Sequence, residues 1–85
     1  MTKKEITIQL ENGLETRPVA LLVQVASQFR SDIYLEVDSR RVNAKSIMGM
    51  MTLGLDTGEE VVVSANGEDE TEALRQIEAY LTRTN

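Results

Sequence analysis

Two short segments of the chain carry residue types that could do chemistry. The first is Gly13-Leu14-Glu15-Thr16-Arg17-Pro18. Pro18 suits the first turn of a helix, where its missing N–H is not needed, and Thr16 is a plausible N-cap. Free backbone N–H groups and the positive end of the helix dipole gather at such a start. Arg17 adds a bidentate donor for an oxyanion or a phosphate. The plainer reading is that Glu15 and Thr16 only cap the helix and Arg17 is a solvated charge. Residue chemistry alone favours it.

The second segment is Lys45-Ser46-Ile47-Met48-Gly49-Met50-Met51. A Ser ahead of an apolar run reads as a helix N-cap. Ile47, Met48 and Met51 crowd a helix too short to bury all its sides, so some apolar surface is expected to stay exposed. Methionine surfaces adapt to partners. The alternative is that all three turn inward as core. A phosphate on Ser46 would add roughly −1.5 to −2 charges beside the helix N-terminus, where the dipole favours anions.

The remaining candidates are weaker. Glu68-Asp69-Glu70 with Glu72 could suggest a metal site, but reads better as acidic charge at a helix start, with Asp69 and Glu72 as a capping-box-like pair. Glu59-Glu60 reads as a solvated strand edge. No Gly-rich phosphate loop, nucleophile elbow, cation-binding loop or paired-carboxylate framework is evident. No catalytic residue, metal or cofactor is expected.

Composition narrows the function further. Nine Lys and Arg against 14 Asp and Glu give a net charge of −5. That argues against direct nucleic-acid binding and against an anionic membrane surface. The chain has no Cys and no His. It therefore lacks disulfides, thiolate metal sites, the commonest general base and the usual histidine phosphate carrier. Met1-Thr2-Lys3-Lys4-Glu5 is not followed by an apolar run long enough for a signal peptide or a membrane span, so a cytoplasmic location is expected.

These segments must be positioned by a small fold. At 85 residues the chain is expected to be a single domain, residues 1–85. Ile6, Ile8 and Leu10 alternate with polar residues as in a half-buried strand, which Glu11-Asn12-Gly13 ends. A helix follows from about Arg17 to Gln28, with Leu22, Val25, Ala26 and Phe29 on one face and Leu21 beside it. Ile33, Leu35 and Val37 mark a second strand, Asp38-Ser39 a tight turn, and Arg40 to Asn43 a short third strand. The helix after Ser46 comes next, with Gly54 to end it. Thr57-Gly58 is a turn, and Glu60 to Ala65 a fourth strand. The last helix carries Leu74, Ile77 and Leu81, flanked by Ala73 and Tyr80. The order β-α-β-β-α-β-α predicts an α+β open-faced sandwich, a four-stranded antiparallel sheet covered on one face by three helices.

At this point the two segments carry a resemblance. Gly13-Leu14-x-x-Arg17-Pro18 and Asn43-Ala44-Lys45-Ser46-Ile47-Met48-Gly49 resemble HPr, the phosphocarrier of the bacterial sugar phosphotransferase system. Ser31-Asp32-Ile33, Thr57-Gly58 and Gly67-Glu68-Asp69-Glu70 are similar as well. HPr carries its transferable phosphate on a His between Gly-Leu and Arg-Pro; here that position is Glu15. The pattern is similar to the Crh branch of the family, in bacilli, which has lost this His and kept the regulatory Ser. That branch typically has Gln at the lost position, so Glu15-Thr16 departs from it.

The resemblance implies a circuit in carbon catabolite repression. HPr kinase/phosphorylase would phosphorylate Ser46, and the phosphoprotein would act as corepressor of catabolite control protein A, a LacI-type transcription factor. The partner would contact DNA, in keeping with the acidic charge here. Arg17, Ile47, Met48 and Met51 would lie at the docking face, with Lys45 bordering Ser46. Two alternatives stay open. Glu15 could in principle form an acyl phosphate in a phosphocarrier, and the chain could be an interaction module, independent of phosphorylation, that modulates a metabolic enzyme. A monomer is expected, or a homodimer formed by exchange of the first strand.

Overall fold

The computed structural model describes residues 1–10, 16–53 and 57–82, without the side chains of Thr16 and Arg17. Its elements are β1 (Thr2–Thr7), α1 (Thr16–Ser27), β2 (Asp32–Val37), β3 (Arg40–Asn43), α2 (Ile47–Met51), β4 (Glu60–Asn66) and α3 (Glu70–Leu81). The described strands pair antiparallel in one sheet, in the order β1-β4-β2-β3. This is the expected α+β open-faced sandwich. No described helix is long and apolar enough to cross a membrane.

Side chains alternate across a strand, so register decides which residues meet on each face. Ile6 pairs with Val61, Leu35 with Val63 and Ile33 with Ala65. All six are buried on the face that the helices cover. α1 adds Val19, Leu22 and Ala26, α2 adds Met50, and α3 adds Ala73, Leu74, Ile77, Tyr80 and Leu81. Val25 and Phe29 pack only partly against this core, and Leu21 is exposed. The other sheet face is polar. There Arg41, directly opposite Glu36, lies 3.5 Å from its carboxylate and 3.9 Å from the Tyr34 ring centroid. An antiparallel sheet tolerates one wet face of this kind.

The first strand begins earlier than its apolar alternation predicts. The ladder to β4 runs from Thr2 to Thr7, through Lys3, Lys4 and Glu5. Beyond Thr7 the backbone changes partners. The Ile8 N–H donates to the Glu59 carbonyl and the Gln9 N–H to the Leu81 carbonyl, both at 2.8 Å. Ile8 is buried and Leu10 partly so; alternation therefore located the core contacts but not the strand. Polar ties to α3 hold the early part of β1. Lys4 Nζ lies 2.6 Å from Glu78 Oε2, and the Thr2 hydroxyl donates to Glu70.

The last helix also starts differently. Asp69 occupies the N-cap, yet its side chain makes no cap hydrogen bond. Its carboxylate accepts instead from Arg30 N (2.9 Å), Ser31 N (3.0 Å) and Ser31 Oγ (2.5 Å). Glu72 reaches forward to Arg75 and Gln76 rather than back to the cap. Glu70 is the residue that turns back, accepting from Gly67 N at 3.2 Å. The expected Asp69–Glu72 box is therefore absent, because Asp69 finds three donors across the fold. Glu59 and Glu60 are exposed as expected, but β4 is an inner strand of the sheet rather than an edge.

Candidate functional site

The site is built from the end of β3. Ala44 is fully buried, and its N–H donates to the Ile33 carbonyl at 2.8 Å. The Asn43 side chain accepts from Lys45 N at 2.8 Å, closing an Asx-type turn. The Asn43 carbonyl then accepts from Ser46 N at 3.0 Å. Three bonds thus fix the link between β3 and α2. Asn43 has a positioning role that spacing alone did not assign to it. The available signal was an Asn three residues ahead of a Ser N-cap.

Ser46 is the N-cap of α2, as expected. Its backbone is extended (φ −105°, ψ 109°), and its Oγ accepts from Gly49 N at 3.2 Å. The residue is exposed. An added Cβ at Gly49 would stand 3.4 Å from Ser46 Oγ, in ordinary van der Waals contact. At the other end of α2 the Arg40 guanidinium donates to the Thr52 carbonyl at 2.5 Å. A cation there complements the negative end of the helix dipole. Sequence reasoning missed this contact, because Arg40 looked like an ordinary strand residue.

α2 turns Met50 fully inward and leaves Ile47 43%, Met48 80% and Met51 50% exposed. Five residues make barely more than one helical turn, so one inward side chain leaves the rest facing out. Leu21, 41% exposed, lies on α1, which packs against α2. Lys45 borders Ser46 in the chain, but its ammonium is engaged elsewhere, donating to the Phe29 carbonyl at 2.7 Å.

The other candidate segment is placed only in part. Glu15 lies outside the described residues, as does Gly54. Arg17 is the second residue of α1, but its side chain is likewise outside the described set. The acidic run does not converge on one point. Asp69 binds the Arg30–Ser31 turn, Glu70 takes Thr2, Gly67 and the N-terminal amine, and Glu72 takes Arg75 and Gln76. The Ser31 hydroxyl holds the Asp69 carboxyl down at about 2, with help from the Arg30 N–H. The Arg75 guanidinium does the same for Glu72, also to about 2.

The family model of the PTS HPr component phosphorylation site matches residues 2–83. The chain belongs to the HPr family. Within it, the HPr-like protein Crh of Bacillus subtilis (strain 168) is 51% identical over 81 residues, 95% of each chain. The phosphocarrier protein HPr of Bacillus anthracis str. Ames has a crystal structure with a TM-score of 0.91 at 45% identity, covering 94% of this chain and 95% of that one. The crystal structure of Bacillus subtilis Crh is 51% identical, covering 95% and 93% of the two chains, but its TM-score is 0.77. That Crh is an intertwined, swapped dimer. In the fold described above, β1 pairs with β4 of the same chain.

Proposed function

We propose that this chain, as one HPr-like domain spanning residues 1–85, is a regulatory protein of carbon catabolite repression. HPr kinase/phosphorylase phosphorylates Ser46, and the phosphoprotein then serves as corepressor of catabolite control protein A. The observation that carries this reading is the exposed Ser46 hydroxyl at the α2 N-cap, beside exposed Ile47, Met48 and Met51. A phosphate at that cap adds roughly −1.5 to −2 charges where the N–H groups of the first turn point. The fold need not move, while the surface beside the methionines gains a strong anion. The protein acts by binding rather than by catalysis, in the cytoplasm, and needs no cofactor.

The chain has no His, and Glu15 stands where the family's phosphocarrier carries one. A carboxyl at that position does not form the phosphoimidazole that sugar phosphotransfer requires, so the carrier reading is not favoured. Ile47, Met48 and Met51 supply apolar docking area; Arg17 adds a guanidinium suited to a partner's anion, and Lys45 flanks the phosphoserine. A homodimer formed by exchange of β1 is a second state. The swapped dimer of Bacillus subtilis Crh supports it.

Incubation with HPr kinase/phosphorylase and ATP, followed by intact-mass analysis and site mapping, tests the modification. One phosphoryl group on Ser46 is expected, none on Ser46→Ala, and none from phosphoenolpyruvate with the general phosphotransferase enzymes. A hydroxylamine-labile label on Glu15 would overturn the regulatory reading in favour of a carrier.

A further inference from the structure

The single short turn of α2 gives its methionines different access to solvent. Met48 is 80% and Met51 50% exposed, whereas Met50 between them is fully buried. The chain contains no Cys, so these thioethers are the softest nucleophiles it presents, with Met1. Oxidation of a thioether turns a flexible apolar side chain into a polar one, reversibly, because sulfoxide reductases restore it.

We propose that Met48 and Met51 form a reversible oxidation site, at which a peroxide-class oxidant turns the apolar face of α2 polar and closes it to docking. In the step, the Sδ lone pair attacks one peroxide oxygen. The O–O bond breaks as the S–O bond forms. The second oxygen leaves as hydroxide and takes up the proton of the transferred oxygen, giving water. Sulfur loses two electrons and the peroxide gains them.

Position explains why the change is confined to the surface. Met48 contributes little to its own core, so its sulfoxide stays solvated and leaves the fold in place. A sulfoxide at Met50 would bury a polar group among apolar side chains, but burial shields that sulfur. Two sulfoxides would leave Ile47 as the remaining apolar side chain exposed on α2. The effect on docking rests on the proposed function; the order of oxidation does not.

The test treats the full chain, phosphorylated on Ser46, with dilute hydrogen peroxide. Peptide mass mapping over time, circular dichroism and affinity for purified catabolite control protein A are read on the same samples. Met48 and Met1 should oxidise first, Met51 next and Met50 last, with the dichroism unchanged. Affinity should fall by at least about tenfold, as for loss of a central apolar contact, and return after treatment with methionine sulfoxide reductases. A Met48→Leu, Met51→Leu double variant should show the same affinity before and after peroxide, whereas Met1→Leu should give no protection. Oxidation of Met50 as fast as Met48 would overturn the site. Unchanged affinity after full oxidation of Met48 and Met51 would overturn the switch. If the reduced phosphoprotein fails to bind at all, the proposed function falls and the switch with it, while the order of oxidation still decides the site.

Discussion

The Lys45 ammonium donates to the Phe29 carbonyl at 2.7 Å, joining the residue before the α2 cap to the turn that closes α1. In the sequence Lys45 looks like a free cation beside Ser46. In the fold it also completes the end of a helix, where a carbonyl and the negative end of the dipole both favour a positive charge. Replacing it should therefore affect stability as well as docking. Lys45→Met, which keeps most of the stem, should cost about 1 kcal/mol, within the usual range for one hydrogen bond. For a domain of this size that lowers the melting temperature by roughly 4–8 °C. A thermal melt checks it, and an unchanged midpoint would mean that water replaces the ammonium without loss.

Asp69 gives a pH dependence with a definite sign. Its carboxyl titrates at about 2 in the fold, against an ordinary value of 3.8, because Ser31 Oγ and the Arg30 and Ser31 N–H groups bind its charged form. Between these values the unfolded chain holds the proton and the folded chain does not, so acid favours unfolding. The stabilisation is complete above about pH 4 and is lost as the pH falls to about 2. Glu72 at about 2 and Glu70, lowered mainly by the Thr2 hydroxyl, act in the same direction. Urea midpoints taken from pH 5 to pH 2 should fall steadily, and Asp69→Asn should remove part of that slope.

Gly67 makes the same junction possible from the other side. A Cβ there would stand 2.6 Å from Ser31 Oγ and 2.7 Å from the Ser31 backbone Cα. Backbone cannot yield as a flexible side chain does, so Gly67→Ala should force the two turns apart, at a cost of about 1–3 kcal/mol. The Asp69 carboxyl should move up toward its ordinary value as its donors retreat. Carboxyl-resolved NMR titration reads the second effect independently of the first.

Elements whose sequence signal is their own packing were legible. α3 could be read from Leu74, Ile77 and Leu81, because an apolar stripe at helical spacing must face a core. The Ser46 cap could be read from one hydroxyl ahead of Ile47. Contacts between distant segments were not legible. β1 begins at Thr2 because its backbone pairs with β4 and Lys4 meets Glu78, and neither fact leaves an apolar signature in Thr2-Lys3-Lys4-Glu5. The Asp69–Glu72 spacing matched a local cap, but Ser31, 38 residues away, supplied the better partner. Arg40 on Thr52 and Lys45 on Phe29 escaped notice for the same reason. At the candidate site, the exposed faces of Met48 and Met51 were foreseeable from helix length, whereas the Asn43 turn was not.

The Lys4–Glu78 pair makes a kinetic prediction about the proposed exchange of β1. Releasing the strand breaks this contact, but a swapped dimer re-forms it with the partner's α3. Lys4→Ala should therefore speed exchange without altering the final monomer–dimer ratio. An exposed pair of this kind contributes about 0.2–1 kcal/mol, so the rate should rise by no more than about fivefold. Gel filtration with light scattering on samples aged at high concentration gives both rate and ratio. A shifted ratio at an unchanged rate would show that Lys4 distinguishes the two states.

The central claim is that phosphate on Ser46 converts this chain into a ligand for catabolite control protein A. Isothermal titration of the purified repressor with the protein phosphorylated on Ser46, with the unphosphorylated protein, and with Ser46→Ala tests it most directly. Both the unphosphorylated protein and the variant should bind at least about tenfold more weakly than the phosphoprotein, since a charge-assisted contact at an interface is worth that much or more. Thermal melts accompany the titration, because the lost cap alone costs about 0.5–2 kcal/mol. Equal affinity of a folded Ser46→Ala variant and the phosphoprotein would contradict the claim.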